Sequence, residues 1–295
     1  EGSYVKAIDA MEVIAKRWPK YWPNVEGVLN ALALRPESFT EMDARFGTNT
    51  VLRSLVITSL AKTDSTLVPA QQLLVQWSAQ GIASLENLIN LVTIRLIAQG
   101  QYAEAYSMFL QTRTATDSDR SGYVNNGTFS YLPSGNIFDW TIRPQAGVDV
   151  EIVNGIARAL GADSTGSTVT DKHVPSALSI RFLDNPIRFR NVSQLVRLPA
   201  GSYRLAVSYK AISLVMPKPL KVGISCYQGK SDLGTISFEG GYIDQEQIYV
   251  DFEVPTESCE LQQLFVYNDP LPMSWQNRYA GVLLVRRIAI TSLGR

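Results

Sequence analysis

The sequence predicts an α+β chain of two domains, an N-terminal helical domain followed by an antiparallel β-sandwich. At 295 residues the chain is long for one compact core. Apolar residues recur every three or four positions in the first part and every second position from Val124 onward. Turn-forming stretches such as DNP, PAG, PKP and NDP separate the later segments, without helical segments between them. We therefore predict a helical domain at 1–116, a linker at 117–123 and a sandwich at 124–295.

The helical domain is predicted from a series of amphipathic segments. The first, 3–17, carries one apolar stripe, and Pro19 and Pro23 end it because proline cannot continue a helix. Thr40 and Ser84 have the side chains of helix N-caps. Further helices are predicted to begin near Val25, Thr40, Asn49, Val68, Ser84 and Gln101.

The last two helical segments meet at a glycine. Gly100 is followed by Tyr102 and Ala105, in the pattern G-x-Y-x-x-A. A small residue beside a turn glycine allows two antiparallel helices to approach closely, as helix-hairpin repeats require. The pattern resembles the second helix of a tetratricopeptide repeat, which implies a tetratricopeptide-like repeat domain. The alternative is an irregular helical bundle without a binding groove.

The sandwich is predicted from alternating segments that follow one another without helices. Seven or more such strands favour two packed antiparallel sheets. The predicted strands are 176–183, 192–198, 202–214, 220–228, 247–254, 261–268 and 280–293.

Two motifs in the second half carry a resemblance. The stretch NGTFSYLPSGNIFDWTI at 126–142 resembles the opening of the jelly-roll carbohydrate-binding modules of families 4 and 9. VSQLVRLPAGSYRLAVSYKA resembles a strand pair of the same modules. The resemblance implies a jelly roll and a sugar ligand. Ser130 stands where those modules have an acidic residue, so a structural calcium is not supported and no cofactor is expected. The matching residues of the strand pair are Gln194, Gly201, Tyr203 and Ser208.

The layout of the whole chain is similar to that of bacterial tetratricopeptide-repeat proteins associated with exopolysaccharide export and assembly. The shared features are the FDW motif at 138–140, Cys226 on a middle strand, and the stretch VPTESCELQ at 254–262. This resemblance implies an exported protein of the periplasm or cell envelope. It also implies that proteins of a polysaccharide synthesis or export complex are partners of the helical domain.

Composition excludes several classes of function. Lys plus Arg and Asp plus Glu number 27 each, so no overall positive charge attracts nucleic acid. No apolar run is long enough to span a bilayer. Because the sequence begins at Glu1, without Met or a basic-then-apolar leader, we expect that it is trimmed.

Cysteine and histidine content restricts the chemistry further. Cys226, Cys259 and the single His173 do not have zinc-ligand spacing. The two cysteines form either a disulfide, which indicates export, or two buried thiols. No nucleophile elbow, metalloprotease motif, phosphate-binding loop or dinucleotide fingerprint is present, so we expect neither a catalytic residue nor a metal site.

The candidate ligand residues are aromatic and polar side chains of the sandwich. Trp140 is either a platform for a sugar ring or a core residue, since it alternates with Asp139. Trp275 lies in the loop NDPLPMSWQNRY and either binds a ligand or anchors the loop. The remaining candidates either recognise a polyol or are solvated surface residues. They are Tyr227, Tyr242, Arg181, Gln228 and Asp244.

These observations predict a non-catalytic envelope protein that binds polysaccharide or serves as a scaffold in its synthesis or export. The alternative is a structural or protein-interaction module without a sugar site. An exposed aromatic pair beside polar groups would favour the first hypothesis. A sheet face filled with aliphatic side chains and a large apolar patch on the helices would favour the second.

Overall fold

The structure is a computed structural model that describes residues 2–113, 122–154, 176–229 and 231–294. Contacts between Cα atoms divide the chain into two compact units, Glu1–Ala115 and Thr116–Arg295. The first unit is helical and the second is built from β-strands, which confirms the predicted combination of helices and an antiparallel sandwich.

The helices of the first unit form two rows. Helices α1, α3, α5 and α7 contact one another in succession in one row, and α2, α4 and α6 do so in the other. Short 3₁₀ helices cover Pro19–Val25 and Asp64–Thr66. The α-helices in the described residues are α1 (Gly2–Arg17), α2 (Glu26–Ala33), α3 (Pro36–Phe46), α4 (Thr50–Leu60), α5 (Leu67–Ala79), α6 (Glu86–Ala98) and α7 (Tyr102–Gln111).

Side-chain hydrogen bonds connect neighbouring helices at a regular sequence separation. Stacked helix pairs produce such contacts because each repeat touches the next at equivalent positions. The arrangement is therefore a stack of helix pairs, while its membership of the tetratricopeptide family remains a prediction. Three side chains donate to backbone carbonyls 34 residues away along the chain: Trp77 to Asp43, Ser78 to Thr112, and Arg95 to Ala61.

Two of the predicted helix caps are wrong. Thr40 lies inside α3, which begins at Pro36, because the fixed φ of proline suits the first helical turn and its missing N–H needs no acceptor there. Ser84 precedes the cap of α6, which is Leu85, and has a positive φ of 62° in the preceding turn. Asn49, in contrast, caps α4 by accepting hydrogen bonds from two backbone N–H groups at 2.9 and 3.2 Å.

The second unit contains two five-stranded antiparallel sheets. The first sheet has the order β1-β4-β9-β6-β7 and the second the order β2-β3-β10-β5-β8. All seven predicted strands are present, whereas β1, β2 and β7 were not predicted: β1 has two residues, β7 contains Gly234, and the alternating β2 was overlooked. The strands are β1 (Thr141–Ile142), β2 (Val148–Asn154), β3 (Ser176–Pro186), β4 (Val192–Val196), β5 (Gly201–Val215), β6 (Leu220–Cys226), β7 (Asp232–Ser237), β8 (Gly241–Val254), β9 (Gln262–Asn268) and β10 (Arg278–Ser292).

The pairing of the last eight strands is nested. Strand β3 pairs with β10, β4 with β9, β5 with β8, and β6 with β7. This is the pattern of a long hairpin rolled into two sheets, which defines a jelly roll and confirms that prediction. Alternate side chains of each strand fill the space between the sheets. In β5 these are Tyr203, Leu205, Val207, Tyr209 and Ala211.

A disulfide joins Cys226, at the end of β6, to Cys259, in the loop between β8 and β9. Of the two interpretations of the cysteines, the structure therefore has the disulfide. Both residues are buried, and Cys226 continues the inward-facing row of Val222 and Ile224. The bridge connects the end of β6, in the first sheet, to the loop that leaves β8, in the second.

Candidate functional site

Trp140 belongs to the core of the sandwich. Its side chain is 1% exposed, its ring lies 5.2 Å from that of Phe129, and its Nε1 donates a hydrogen bond to the carbonyl of Asn126 at 3.0 Å. The preceding Asp139 is also buried and accepts hydrogen bonds from the N–H groups of Ser134 and Trp140. The interpretation of Trp140 as a sugar platform is therefore wrong, because both faces of its ring are covered by protein.

The predicted ligand residues do not all come together. Tyr227 and Gln228 lie in the turn between β6 and β7, beside the disulfide. Tyr242 and Asp244 lie at the start of β8, which follows the other end of β7. Because a strand separates the two pairs, they lie at opposite ends of the sandwich and cannot share one small ligand.

Two further predicted residues lie away from β8, one in a cation–π contact and one in an ion pair. Trp275 is 74% exposed in the loop between β9 and β10, and the guanidinium of Arg278 covers one face of its ring at 3.9 Å. Arg278 is itself held by the carbonyl and carboxylate of Asp184. Arg181 on β3 pairs with Asp149 on β2 at 2.8 Å and borders a groove of about 610 Å³. Each of these residues stays a separate candidate.

A β-bulge in β10 places two consecutive arginines on the outer face of the second sheet. The register between β10 and β5 shifts between Val285 and Arg287, which leaves Arg286 without an opposite residue. Val285 and Ile288 on either side are buried in the core. A bulge inserts one residue into the alternation, so Arg286 and Arg287 both point away from the core.

A second bulge lies in β8, on the other side of β5. Two residues of β8, Asp244 and Gln245, stand against the single Lys210 of β5. Lys210 Nζ forms an ion pair with Asp244 at 2.6 Å. Arg286 Nη1 donates a hydrogen bond to Gln245 Oε1 at 2.7 Å, so its side chain reaches across β5 from one bulge to the other. The two bulges thus build one polar cluster over the central strand.

Two exposed tyrosines of β8 flank this cluster. Tyr242 and Tyr249 are 69% and 61% exposed. The Lys210 ammonium lies 5.8 Å from the ring centre of Tyr242, and the Arg204 guanidinium lies 4.2 Å from that of Tyr249. Tyr249 stands opposite Ala206 of β5. Tyr242 directly precedes Ile243, which stands opposite Ala211. At the spacing of residues in a strand, the two tyrosines are therefore about 20 Å apart.

We call this surface the edge-strand face, because β8 is the edge of its sheet. It combines two aromatic rings with amides, carboxylates and cations on one side of three neighbouring strands. Its members are Tyr242, Asp244, Gln245, Gln247, Tyr249 and Asp251 of β8, Arg204 and Lys210 of β5, and Arg286 and Arg287 of β10.

The carboxylates of the edge-strand face are held ionised. The hydrogen bond from Lys210 lowers the pKa of Asp244, and the two hydrogen bonds from Arg204, at 2.7 and 2.8 Å, lower the pKa of Asp251. Ionised carboxylates accept hydrogen bonds and do not donate protons at neutral pH. The face is therefore equipped to bind hydroxyl groups and is not arranged for general acid catalysis.

Tyr209 supports this face from the core side. Its hydroxyl donates to the Glu246 carboxylate at 2.6 Å and accepts from the N–H of Glu239 at 3.1 Å. Burial and the hydrogen bond to Glu246 raise the pKa of Tyr209 to about 12. The phenol thus stays protonated and keeps β8 attached to β5 between the two bulges.

The raised pKa of Tyr209 predicts a loss of stability at alkaline pH. An unfolded tyrosine loses its proton near pH 10, whereas folded Tyr209 keeps its proton up to about pH 12. Its contribution is therefore fully present below pH 10 and is lost as the pH rises towards 12. Urea unfolding between pH 8 and 11.5 should show a steeper decline for the wild type than for Tyr209→Phe. Equal declines would contradict this assignment.

Sequence reasoning missed most of the edge-strand face. Strict alternation along β10 would place either Arg286 or Arg287 in the core, where an unpaired arginine is disfavoured. The pair of arginines within the apolar run LLVRRIAI was therefore a usable signal of a bulge. Tyr249 was missed because its strand was predicted without a pairing partner. The missed residues are Arg204, Lys210, Gln245, Gln247, Tyr249, Asp251, Arg286 and Arg287.

A second aromatic pair lies on the outer face of the first sheet. Phe265 and Tyr267 on β9 have ring centres 4.9 Å apart and lie against Gly223, where a Cβ atom would stand 3.0 Å from the tyrosine ring. The guanidinium of Arg190 covers Phe265 at 4.3 Å, and Phe265 is buried. This pair is more enclosed than the tyrosines of the edge-strand face and offers less free ring surface to a ligand.

The described ranges contain neither a metal-binding cluster nor a membrane-spanning helix. In the described ranges, no group of three or more His, Cys, Asp or Glu side chains is placed to hold a metal ion. The hydroxyl of Ser130 shares a hydrogen bond with that of Thr128 at 2.9 Å, and His173 lies outside the described residues. None of the helices in those ranges has both the length and the apolarity needed to cross a bilayer.

The chain has several solved structural neighbours of low similarity. No protein-family model matches the sequence, and a comparison with curated proteins finds no match. The chain is similar to TmCBM61 in complex with β-1,4-galactotriose, with 16% identity and a TM-score of 0.37, covering 58% of this chain and 98% of that chain. It is similar to a CBM4 structure, with 14% identity and a TM-score of 0.38, covering 57% and 99%. For the CBM22-1 xylan-binding domain of Paenibacillus barcinonensis Xyn10C, the identity is 12%, the TM-score 0.32 and the coverage 57% and 93%.

Two of these neighbours bind sugars: one is in complex with β-1,4-galactotriose and one is a xylan-binding domain. Their identities and TM-scores are too low to assign a function to this chain.

Proposed function

We propose that the β unit binds polysaccharide along the edge-strand face without altering it chemically. The observation that carries this proposal is the pair of exposed tyrosines, Tyr242 and Tyr249, on one strand with polar side chains between them. An aromatic ring packs against the apolar face of a sugar ring. Amides, carboxylates and arginines pair with the hydroxyl groups around that ring.

The dimensions of the face favour a polymer over a single sugar. A separation of about 20 Å between the tyrosines spans several sugar units in an extended chain. Strand β8 is the edge of its sheet, so a long ligand can lie beside it and extend past both ends. The polar cluster of Lys210, Asp244 and Gln245 lies between the rings, where it would contact the middle units.

The chemistry of the face supports binding without hydrolysis. Glycoside hydrolysis requires one carboxyl group that stays protonated to donate a proton and a second that is ionised. Asp244 and Asp251 both have a lowered pKa because each is bound to a cation. Neither is therefore arranged as a general acid.

The wider setting of the protein belongs to the same proposal. A disulfide between Cys226 and Cys259 is typical of proteins that fold in an oxidising compartment, which supports export to the periplasm or cell envelope. We assign the helical unit to docking of proteins in a polysaccharide synthesis or export complex. Stacked helix pairs form extended surfaces of the kind to which other proteins can bind.

Removal of the two tyrosine rings tests the proposed binding surface. Tyr242→Ala and Tyr249→Ala should each weaken binding by up to about tenfold, because each removes one stacking platform. The double variant should lose roughly the product of the two effects. Affinity electrophoresis against a panel of neutral and acidic polysaccharides measures the retention.

Tyr21 offers a matched control for these variants. It is an exposed tyrosine of the helical unit with the Lys20 ammonium 5.0 Å from its ring centre, similar to the setting of Tyr242. Tyr21→Ala should leave retention unchanged. Retention of the double variant at the wild-type level, or no retention of the folded wild type on any polysaccharide, would refute the proposal.

The alternative is a protein-interaction role without sugar binding. A groove of about 520 Å³ in the helical unit favours it, because amides and apolar side chains line the groove together. This role predicts that the protein binds a polypeptide partner equally well after both tyrosines of β8 are replaced. The lining residues are Phe39, Val68, Gln71, Gln72, Val75, Gln76 and Gln111.

A further inference from the structure

The cations of the edge-strand face outnumber its carboxylates. Arg204 pairs with Asp251, and Lys210 pairs with Asp244. For Arg286 and Arg287, no carboxylate partner is found in the part of the chain that the structure describes. Asp244, already paired with Lys210, also lies in the field of Arg286, so the face carries four cations against two carboxylates.

The guanidinium of Arg286 is only partly paired within the described residues. One terminal nitrogen donates to Gln245, which is a neutral partner. Its Nε is buried and has no hydrogen-bond partner among the residues that the structure describes. A guanidinium with free N–H groups prefers a planar oxyanion, because a carboxylate accepts two parallel hydrogen bonds from it.

The bulge in β10 places the side chain of Arg286 on the same face of the sheet as that of Arg287. Two adjacent cations on one face repel each other, and a bulge that places them there costs a ladder hydrogen bond. A bound anion would reduce the repulsion, since its negative charge would lie against both guanidinium groups. The geometry is that of a small anion-binding surface beside an aliphatic cluster of the same sheet, in which Leu284 stands opposite Lys210.

The two arginines lie level with the stretch of β8 between the tyrosines. Arg287 stands opposite Ser208, which stands opposite Gln247, and Arg286 contacts Gln245. Strand β10 is two strand spacings from β8, about 10 Å, which an arginine side chain largely covers. A sugar chain stacked on both tyrosines would therefore direct the substituents of its middle units towards these arginines.

We propose that the ligand of the edge-strand face is an acidic polysaccharide, whose uronate-type carboxylates bind Arg286 and Arg287. This inference rests on the proposed polysaccharide binding and specifies its ligand class. The tyrosines supply contact with the sugar rings in any glycan. The arginines select the charged glycans.

The experiment compares each acidic polymer with its uncharged methyl ester. Polygalacturonate and alginate are used, both as sodium salts and as methyl esters, which keep the sugar backbone and remove the charge. Isothermal titration calorimetry should show binding to the salts at least about tenfold tighter than to the esters. The difference should shrink as NaCl is raised from about 0.05 to 0.5 M, because salt screens exposed charges.

Substitutions then assign the preference to the arginines. Arg287→Gln and Arg286→Gln should each weaken binding of the acidic polymers by about tenfold and weaken binding of the esters far less, because only the acidic polymers lose a charged partner. Arg287→Lys keeps the positive charge but removes the two parallel N–H donors of the guanidinium group, so it should lose part of the preference for acidic polymers. This variant also carries little risk to folding. Arg188→Gln, which removes an exposed arginine in the loop after β3, should change neither.

The outcomes separate this inference from the function on which it rests. Equal binding of the salts and the esters would overturn the acidic-ligand inference. If the Tyr242→Ala, Tyr249→Ala double variant then abolished that binding, polysaccharide binding by this face would still hold. A preference for acidic polymers that survives both arginine substitutions would also overturn it. No binding of any polymer in the wider polysaccharide panel would refute polysaccharide binding itself.

Discussion

Replacement of Trp140 by alanine is expected to destabilise the β unit by about 3–5 kcal/mol, the range for truncating a large aromatic residue in a packed core. The indole is buried between the sheets against Phe129. The substitution leaves a cavity and also removes the hydrogen bond to the carbonyl of Asn126. Because that carbonyl lies in a buried turn, it would lose a partner that water cannot readily replace.

Urea unfolding followed by far-ultraviolet circular dichroism measures this effect. Trp275→Ala is the control, since that ring is largely exposed and its loss should change stability by less than about 0.5 kcal/mol. Trp140→Phe should lie between the two, because it keeps an aromatic ring and loses the hydrogen bond. Similar stabilities of Trp140→Ala and Trp275→Ala would contradict the core assignment.

Removal of the disulfide has the second largest expected effect. Cys226 and Cys259 are 33 residues apart, and closing a loop of that length stabilises a fold by about 3–4 kcal/mol in the chain-entropy account. Cys226→Ala combined with Cys259→Ala should therefore shift the urea midpoint of the β unit strongly downward. The thiols are replaced by alanine because both positions are buried.

The same bridge can be tested without mutation. Reduction under denaturing conditions should raise the intact mass by two hydrogen atoms, and addition of reductant to the wild type should reproduce the loss of stability seen in the double variant. The double variant itself should not respond to reductant. An unchanged mass after reduction would show that the two cysteines are free thiols.

Much of the architecture could be predicted from the sequence because it depends on local periodicity. The change from a period of 3.6 to a period of 2 separates the helices from the strands, and turn residues delimit the seven predicted strands. The short strand β1 and the glycine-containing β7 were missed because neither presents enough alternating residues to be distinguished from a loop. The helix start at Pro36 was misjudged because proline both ends and begins helices.

The candidate site was less predictable, since it depends on pairing between strands. Tyr242 and Asp244 were selected as aromatic and polar surface residues, but nothing in their own segment shows that Lys210 and Arg286 lie beside them. Those neighbours follow from two bulges, each of which shifts the side-chain alternation by one residue. Trp140 is the opposite case. Its position among turn-forming residues suggests a ligand loop, whereas the structure buries it in the core.

The nested pairing of the strands has a consequence for the order in which the β unit folds. The β6–β7 hairpin closes a short loop, whereas the β3–β10 pair places Ile180 opposite Leu283, about a hundred positions along the chain. The entropy lost on closing a loop grows with its length, so the inner hairpin can form early and the outer pair only after the strands between them are in place. Strand β10 also carries both arginines of the edge-strand face. The proposed ligand surface is therefore completed only when β10 docks, so a chain that is still folding would lack this surface.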